Sequence, residues 1–214
     1  MLFGDGSAAA MAAAEAAKAA VRSVDNFDWT FITLLALVIV GVWIPMWKKK
    51  KYDAIAGALA LYGVHWFYEI MNAVICHFSG YALWHVSPES TSFILLIGVS
   101  AELSLMFSVS GFTCALLPED KNKKILGINN RWFFGIGFAA FCSVFEIFLA
   151  WTPAFIWVYP WWGCLPVFLT TYIPFFVGAY LAYDLPAKKQ WTLVGILVAI
   201  NVTLLAILIP MGII

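Results

Sequence analysis

Residues 53–78 read DAIAGALALYGVHWFYEIMNAVICHF, long enough to cross ~30 Å of hydrocarbon as a helix, yet His65, Glu69 and Asn72 sit from its midpoint onward. An ionised carboxylate at such depth costs ~2.5 to 3.5 kcal/mol on insertion scales, so intramembrane acids are rare and by default serve a site. Tyr62, His65, Glu69, Asn72 and Cys76 recur at spacings of three and four, which puts them on one helix face that has to point into the protein. His65 and Glu69 are one turn apart, close enough to share a hydrogen bond and relay a proton.

The rest of the chain is of the same kind. Its 214 residues are 64% hydrophobic and 11% charged, more apolar side chain than one soluble core could hide, so an integral, multi-pass membrane protein is expected. Twelve basic residues balance twelve acidic ones and fall in short clusters at segment ends, which argues against nucleic acid as a partner. Cys76, Cys114, Cys142 and Cys164 lie in or beside apolar segments without CxxC spacing and read as small buried hydrophobes. A di-metal carboxylate site would need Glu-x-x-His pairs on facing helices; a single His-x-x-x-Glu predicts no metal.

Six apolar runs are predicted to span, at Trp29–Trp47, Asp53–Phe78, Thr91–Leu117, Trp132–Trp151, Trp161–Tyr183 and Trp191–Ile214, with tryptophans at their ends as an interfacial belt. The expected class is an all-α, polytopic membrane helical bundle occupying residues 29–214. Lys48–Lys51, then Lys121, Lys123, Lys124 and Arg131, then Lys188 and Lys189 occupy alternate connections, whereas 79–90 and 152–160 hold no lysine or arginine. The positive-inside rule makes the basic connections cytoplasmic and places both termini on the other side. Residues 1–28 form a polar, alanine-rich arm, read as surface-lying or loosely helical and ending in the turn-like Asp25-Asn26-Phe27-Asp28.

Two further runs carry acids: Glu102, with Ser104, Ser108 and Ser110, and Glu146, near Cys142 and Ser143. At ~1.5 Å per residue Glu69 lies ~13 Å and Glu102 ~16 Å from the lysine-free ends of their helices, so the two are expected at one level, with Glu146 shallower at ~7 Å. His77 and His85 fall near the interface, where water solvates a histidine. Pro166 and Pro174 are expected to kink the fifth span and open space. His65, Glu69, Glu102 and Glu146 are therefore the candidate catalytic residues. Tyr62, Trp66, Asn72, Phe107, Thr171, Tyr172 and Phe175 are the candidates for holding a substrate, because aromatic faces stabilise a desolvated cation by up to ~2 kcal/mol.

The stretch from Lys51 to Phe78, with His65-Trp-Phe-Tyr-Glu69, resembles the second membrane helix of the emopamil-binding-protein (sterol Δ8-Δ7 isomerase) superfamily, the EXPERA fold. Glu102 midway along the third run, Glu146 within Val144-Phe-Glu-Ile-Phe, and Thr171 thirteen residues before Asp184 look similar to its placed polar residues. Thr171 and Pro174 depart from the family's asparagine and tryptophan, and the chain adds a sixth helix to a five-helix core. The resemblance implies a double-bond shift in a sterol- or terpenoid-like lipid. The Glu69–His65 pair or Glu102 would protonate the alkene, the aromatic wall would hold the carbocation, and a second base would take a neighbouring proton. That chemistry needs no cofactor, only a carboxyl that holds its proton. An apolar lipid and the membrane are the expected partners, with a homodimer left open. A small membrane-integral terpenoid cyclase and a non-catalytic lipid-binding protein are the competing readings.

Overall fold

The computed structural model describes residues 2–25, 27, 29–91 and 93–214; Asn26 and Asp28 of the expected turn lie outside that set. The chain is mostly helical. In order it forms α1 (Ala8–Ala19), α2 (Trp29–Lys48), α3 (Tyr52–Ser79), α4 (Ala101–Leu116), α5 (Asn130–Ala150), α6 (Cys164–Tyr183) and α7 (Ala187–Leu208). Short antiparallel pairs join β1 (His85–Val86) to β6 (Phe155–Ile156), β2 (Ile94–Leu96) to β3 (Val99–Ser100) and β4 (Lys124–Ile125) to β5 (Ile128–Asn129). Among the described residues, five helices are long and apolar enough to cross a bilayer: α2, α3, α5, α6 and α7.

The third expected span is the exception. Its first part folds as the β2–β3 hairpin, and the helix begins only at Ala101, with ten α-helical residues followed by six of 3-10 helix. Ile94, Ile97 and Val99 favour extended backbone. Gly98 lets the turn between the strands press against α3, where a Cβ would collide with the side chains of Asn72, Trp84 and Glu69. Ser100 then starts α4 as N-cap, its hydroxyl accepting from the Leu103 N–H at 3.2 Å.

Helix α3 is the central post. Its 28 residues extend ~42 Å, longer than the ~30 Å hydrocarbon core, so one end projects. Its first half is lined with small residues, and neighbours approach closely there. Gly111 of α4 abuts Ala58, Gly57 faces Cys114, and Gly63 faces Leu197 of α7, whose Asn201 Nδ2 donates to the Gly63 carbonyl at 2.7 Å.

Around the Ser79 end of α3 gathers a headpiece made of the N-terminal arm and the two connections 80–100 and 151–163. β1 and β6 pair across those connections, His85 opposite Ile156. The arm is stitched to the second connection by Gly4 N to Trp162 O (2.9 Å), Cys164 N to Leu2 O (2.9 Å) and Gly6 N to Val158 O (3.0 Å), and to the first by Arg22 N to Ile94 O (2.8 Å). Arg22 also donates to the Ile214 carbonyl, so both ends of the chain sit at the headpiece.

The lysine-bearing end is closed differently. Arg131 at the start of α5 forms a bidentate pair with Asp184 at the end of α6, Nε to Oδ2 at 2.8 Å and Nη2 to Oδ1 at 2.7 Å, while Nη1 caps the Pro118 carbonyl at 2.8 Å. Removing the guanidinium strands Asp184 and frees a carbonyl at the exit of α4. Arg131→Ala is expected to cost on the order of 3 kcal/mol, read as a lowered thermal midpoint in detergent, with Arg131→Lys recovering only part because it cannot reproduce the fork.

Candidate active site

The polar face of α3 points inward, and the second half of it meets the headpiece. The His65 imidazole lies flat on the Phe107 ring, centroids 4.0 Å apart, with Phe175 edge-on at 6.1 Å. The Tyr62 ring lies near-parallel to His65 at 6.2 Å, and its hydroxyl bonds Ser104 at 2.7 Å. Glu69 is 3% exposed. Its oxygens do not hydrogen-bond His65, whose Nδ1 stays 3.8 Å from Oε1; both instead accept from the Trp84 indole N–H, at 3.2 and 3.1 Å.

Trp84 reaches Glu69 because the 80–100 connection folds back along α3. Asn72 fixes it, Nδ2 donating to the Trp84 carbonyl at 2.9 Å and Oδ1 accepting from the Leu83 N–H at 2.8 Å. Non-helical backbone is tolerated at membrane depth only where protein supplies its partners, and Asn72 is that supplier. Asn72 thus supports the loop and is not among the residues lining the acid cavity.

Glu146 receives the same treatment from the other connection. Its Oε1 accepts from the Trp157 indole at 3.0 Å and its Oε2 from the Tyr172 hydroxyl at 2.6 Å. Expected near the rim, it is buried at 6% exposure because residues 151–163 fold over the end of α5.

Tyr172 is placed by a local irregularity. Pro174 has no N–H for the Thr170 carbonyl, and the backbone widens there into a π-turn over Phe168–Tyr172 with Ile173 N bonding Phe168 O. The released Thr170 carbonyl accepts from Tyr68 of α3 at 2.9 Å, which pins the turn and presents Thr171 and Tyr172 inward. Pro166 distorts nothing, since it lies in the first turn of α6; the Trp162 carbonyl it leaves free is the one that binds Gly4 of the arm.

These groups enclose a cavity of about 30 Å³, room for a water molecule, lined by Glu69, Glu146, His65, Thr171, Tyr172 and Phe107 among others. His65 Nε2 and Thr171 Oγ1 have no hydrogen-bond partner among the described residues. Trp84 and Phe155 cover it from the headpiece, with Trp84 stacked on Trp162 at 5.9 Å. Towards the lipid the wall is thin. Phe107, Glu146 and Tyr172 also line an apolar cleft of about 350 Å³ between α4 and α5, completed by Met106, Phe141 and Phe145.

Glu102 stands apart. As the second residue of α4 it lies at the headpiece end, half-buried, with the Thr91 hydroxyl donating to Oε2 at 2.6 Å. It does not line the cavity that Glu69 and Glu146 share, although the next residue, Leu103, does. Trp66 packs with Ile70, Leu96 and Val99 and does not line the acid cavity. Trp84, Trp157 and Phe155 escaped the sequence reading because they were assigned to connections. The signal was present, since 79–90 and 151–163 carry tryptophan, valine and isoleucine with Glu89 as their single charged residue, an unusual composition for loops in water.

His85, expected to be solvated, is wholly buried, its Nε2 accepting from the Ala82 N–H at 3.0 Å. Burial, reinforced by the Lys18 ammonium, pushes its pKa down to about 4, against 6.5 ordinarily; Glu15 is the other charge facing it. The unfolded chain therefore binds the proton first, so the stability that neutral His85 contributes is complete above about pH 6.5 and is lost as pH falls towards 4. The thermal midpoint should drop across that window, and His85→Gln should flatten the profile.

Residues 11–210 match the model of an uncharacterized membrane protein family. An uncharacterized protein of Archaeoglobus fulgidus is 40% identical over 200 residues, covering 91% of this chain and 94% of that one. No solved structure matches. Neither match is to the emopamil-binding-protein superfamily, which corrects the resemblance drawn from Lys51–Phe78. A histidine and a glutamate one turn apart is a short pattern that any inward polar helix face can produce, and here the histidine packs on Phe107 while the glutamate turns to Trp84. The chain belongs to this membrane protein family.

Proposed function

We propose that this membrane protein is an acid–base catalyst that shifts a carbon–carbon double bond in an unsaturated lipid drawn sideways from the bilayer. The observation that carries the reading is the pairing of two spaces on one residue: Glu146 lines both the apolar cleft and the small cavity it shares with Glu69. A chain in the cleft meets Glu146 without entering the cavity.

Glu146 in its acid form gives its proton to one alkene carbon, leaving the positive charge on the other. The rings of Phe107, Phe145 and Tyr172 flank that position and stabilise the cation. The Glu146 carboxylate then removes a proton from the carbon on the far side of the cation, which moves the double bond by one position and returns Glu146 to its acid form. Protons and electrons balance without any other reactant. Glu69 and His65, on the wall of the small cavity, exchange the Glu146 proton with solvent between turnovers, through the water for which the cavity has room.

Purified protein in lipid nanodiscs, incubated in D2O with a panel of unsaturated isoprenoid and sterol lipids, should place deuterium on carbon next to a displaced double bond. Glu146→Gln should reduce the rate at least ~100-fold and Glu69→Gln should slow deuterium entry more than isomer formation. Lipid that binds but gains neither deuterium nor a new isomer would make this a lipid-binding protein without turnover.

A further inference from the structure

Beyond the apolar cleft the space between α4 and α5 continues towards the headpiece. A vestibule of about 230 Å³ opens there, and Leu103, Met106, Phe145, Leu149 and Phe155 line it as well as the cleft. Its character differs from the cleft's. Ser90, Thr91, Ser100 and Glu102 gather at its far end, and none of its described lining residues is Lys, Arg or His. One continuous groove therefore has a polar, acidic end at Glu102 and a mainly apolar remainder that extends ~12 Å along α4 to Ser110.

We infer that the vestibule is a headgroup subsite, and that the lipid it selects is an uncharged alcohol whose hydroxyl donates to Glu102. The inference rests on the proposed catalytic reading and names the substrate class for it. A carboxylate accepts from an alcohol O–H in a charge-assisted hydrogen bond, and Ser90, Thr91 and Ser100 supply further donors and acceptors around it. A phosphate or diphosphate head finds no Lys, Arg or His among the described lining residues and meets the Glu102 charge. The acid at the vestibule thus rejects the activated form of a prenyl chain while accepting the free alcohol. The distance between head and Glu146 then sets which double bond along the chain is presented for protonation.

The test uses the full-length protein in phosphatidylcholine nanodiscs with three twenty-carbon probes: geranylgeraniol, geranylgeranyl diphosphate and the corresponding alkene without a head. Binding is read by native mass spectrometry and turnover by deuterium uptake. The alcohol should bind at least tenfold more tightly than the diphosphate. Glu102→Gln should lessen the discrimination, because the amide still accepts a hydrogen bond but repels nothing, and Glu102→Lys should reverse it. Thr91→Val, which removes a hydroxyl and keeps the shape, should weaken the alcohol alone. Equal affinity for alcohol and diphosphate, an alcohol-to-diphosphate ratio unmoved by Glu102→Lys, or failure of all three probes to bind overturns the inference. Deuterium uptake from all three at one rate would overturn it while leaving the catalytic reading intact. Selective alcohol binding without uptake would do the opposite.

Discussion

Two carboxyl groups buried beside lipid have to be given hydrogen-bond donors, and the helices that carry them cannot provide enough. An α-helix spends its backbone donors on itself, so the donors must come from side chains elsewhere. In this protein they come from two connections that fold back into the bundle: Trp84 serves Glu69, and Trp157 serves Glu146, with Tyr172 completing the second. Indole suits the task, since it offers one N–H and presents hydrocarbon everywhere else. The pairing of β1 with β6, the clamp of Asn72 on the first connection and the stitching of the N-terminal arm to the second all hold those two indoles in place.

The same constraint decides how the site can be reached. A headpiece built around tryptophans blocks approach along the membrane normal, with Trp84 stacked on Trp162 above the cavity. The thin side is the one where α4 and α5 leave an apolar cleft. Helix α4 leaves that gap because it is short: the residues that would have lengthened it form the β2–β3 hairpin under the headpiece. Shortening one helix therefore makes both the lid and the entrance.

The sequence disclosed the membrane class, the inward face of α3 and the burial of Glu69, because apolar run length and three-four spacing are local properties. It also pointed to Phe107, Thr171, Tyr172 and Phe175, which line the cavity. It did not disclose that Thr91–Ser100 leaves the helical path, since an apolar run containing Gly98 reads equally well as helix or hairpin until Asn72, Trp84 and Glu69 are placed against it. Nor did it give the partners of the acids. The separation of Glu69 from Trp84 is 15 residues along the chain and that of Glu146 from Trp157 is 11, with a turn of undetermined depth between them. Trp84 and Trp157 lie in connections between the apolar runs, and only tertiary structure shows that such a connection dips inward and brings a donor to an acid. A proline within an apolar run signals a local disturbance, but what Pro174 brings about, a carbonyl released to Tyr68 and a π-turn that aims Tyr172, depends on a neighbouring helix.

The central claim is that Glu146 faces lipid and is sheltered from water. Chemical modification of the protein in nanodiscs addresses it directly, comparing a lipid-soluble carbodiimide with a water-soluble one and locating the adducts by peptide mass spectrometry. The account predicts that the lipid-soluble reagent modifies Glu146 and that the water-soluble reagent leaves both Glu146 and Glu69 intact. Equal modification of the two acids by the water-soluble reagent would contradict it.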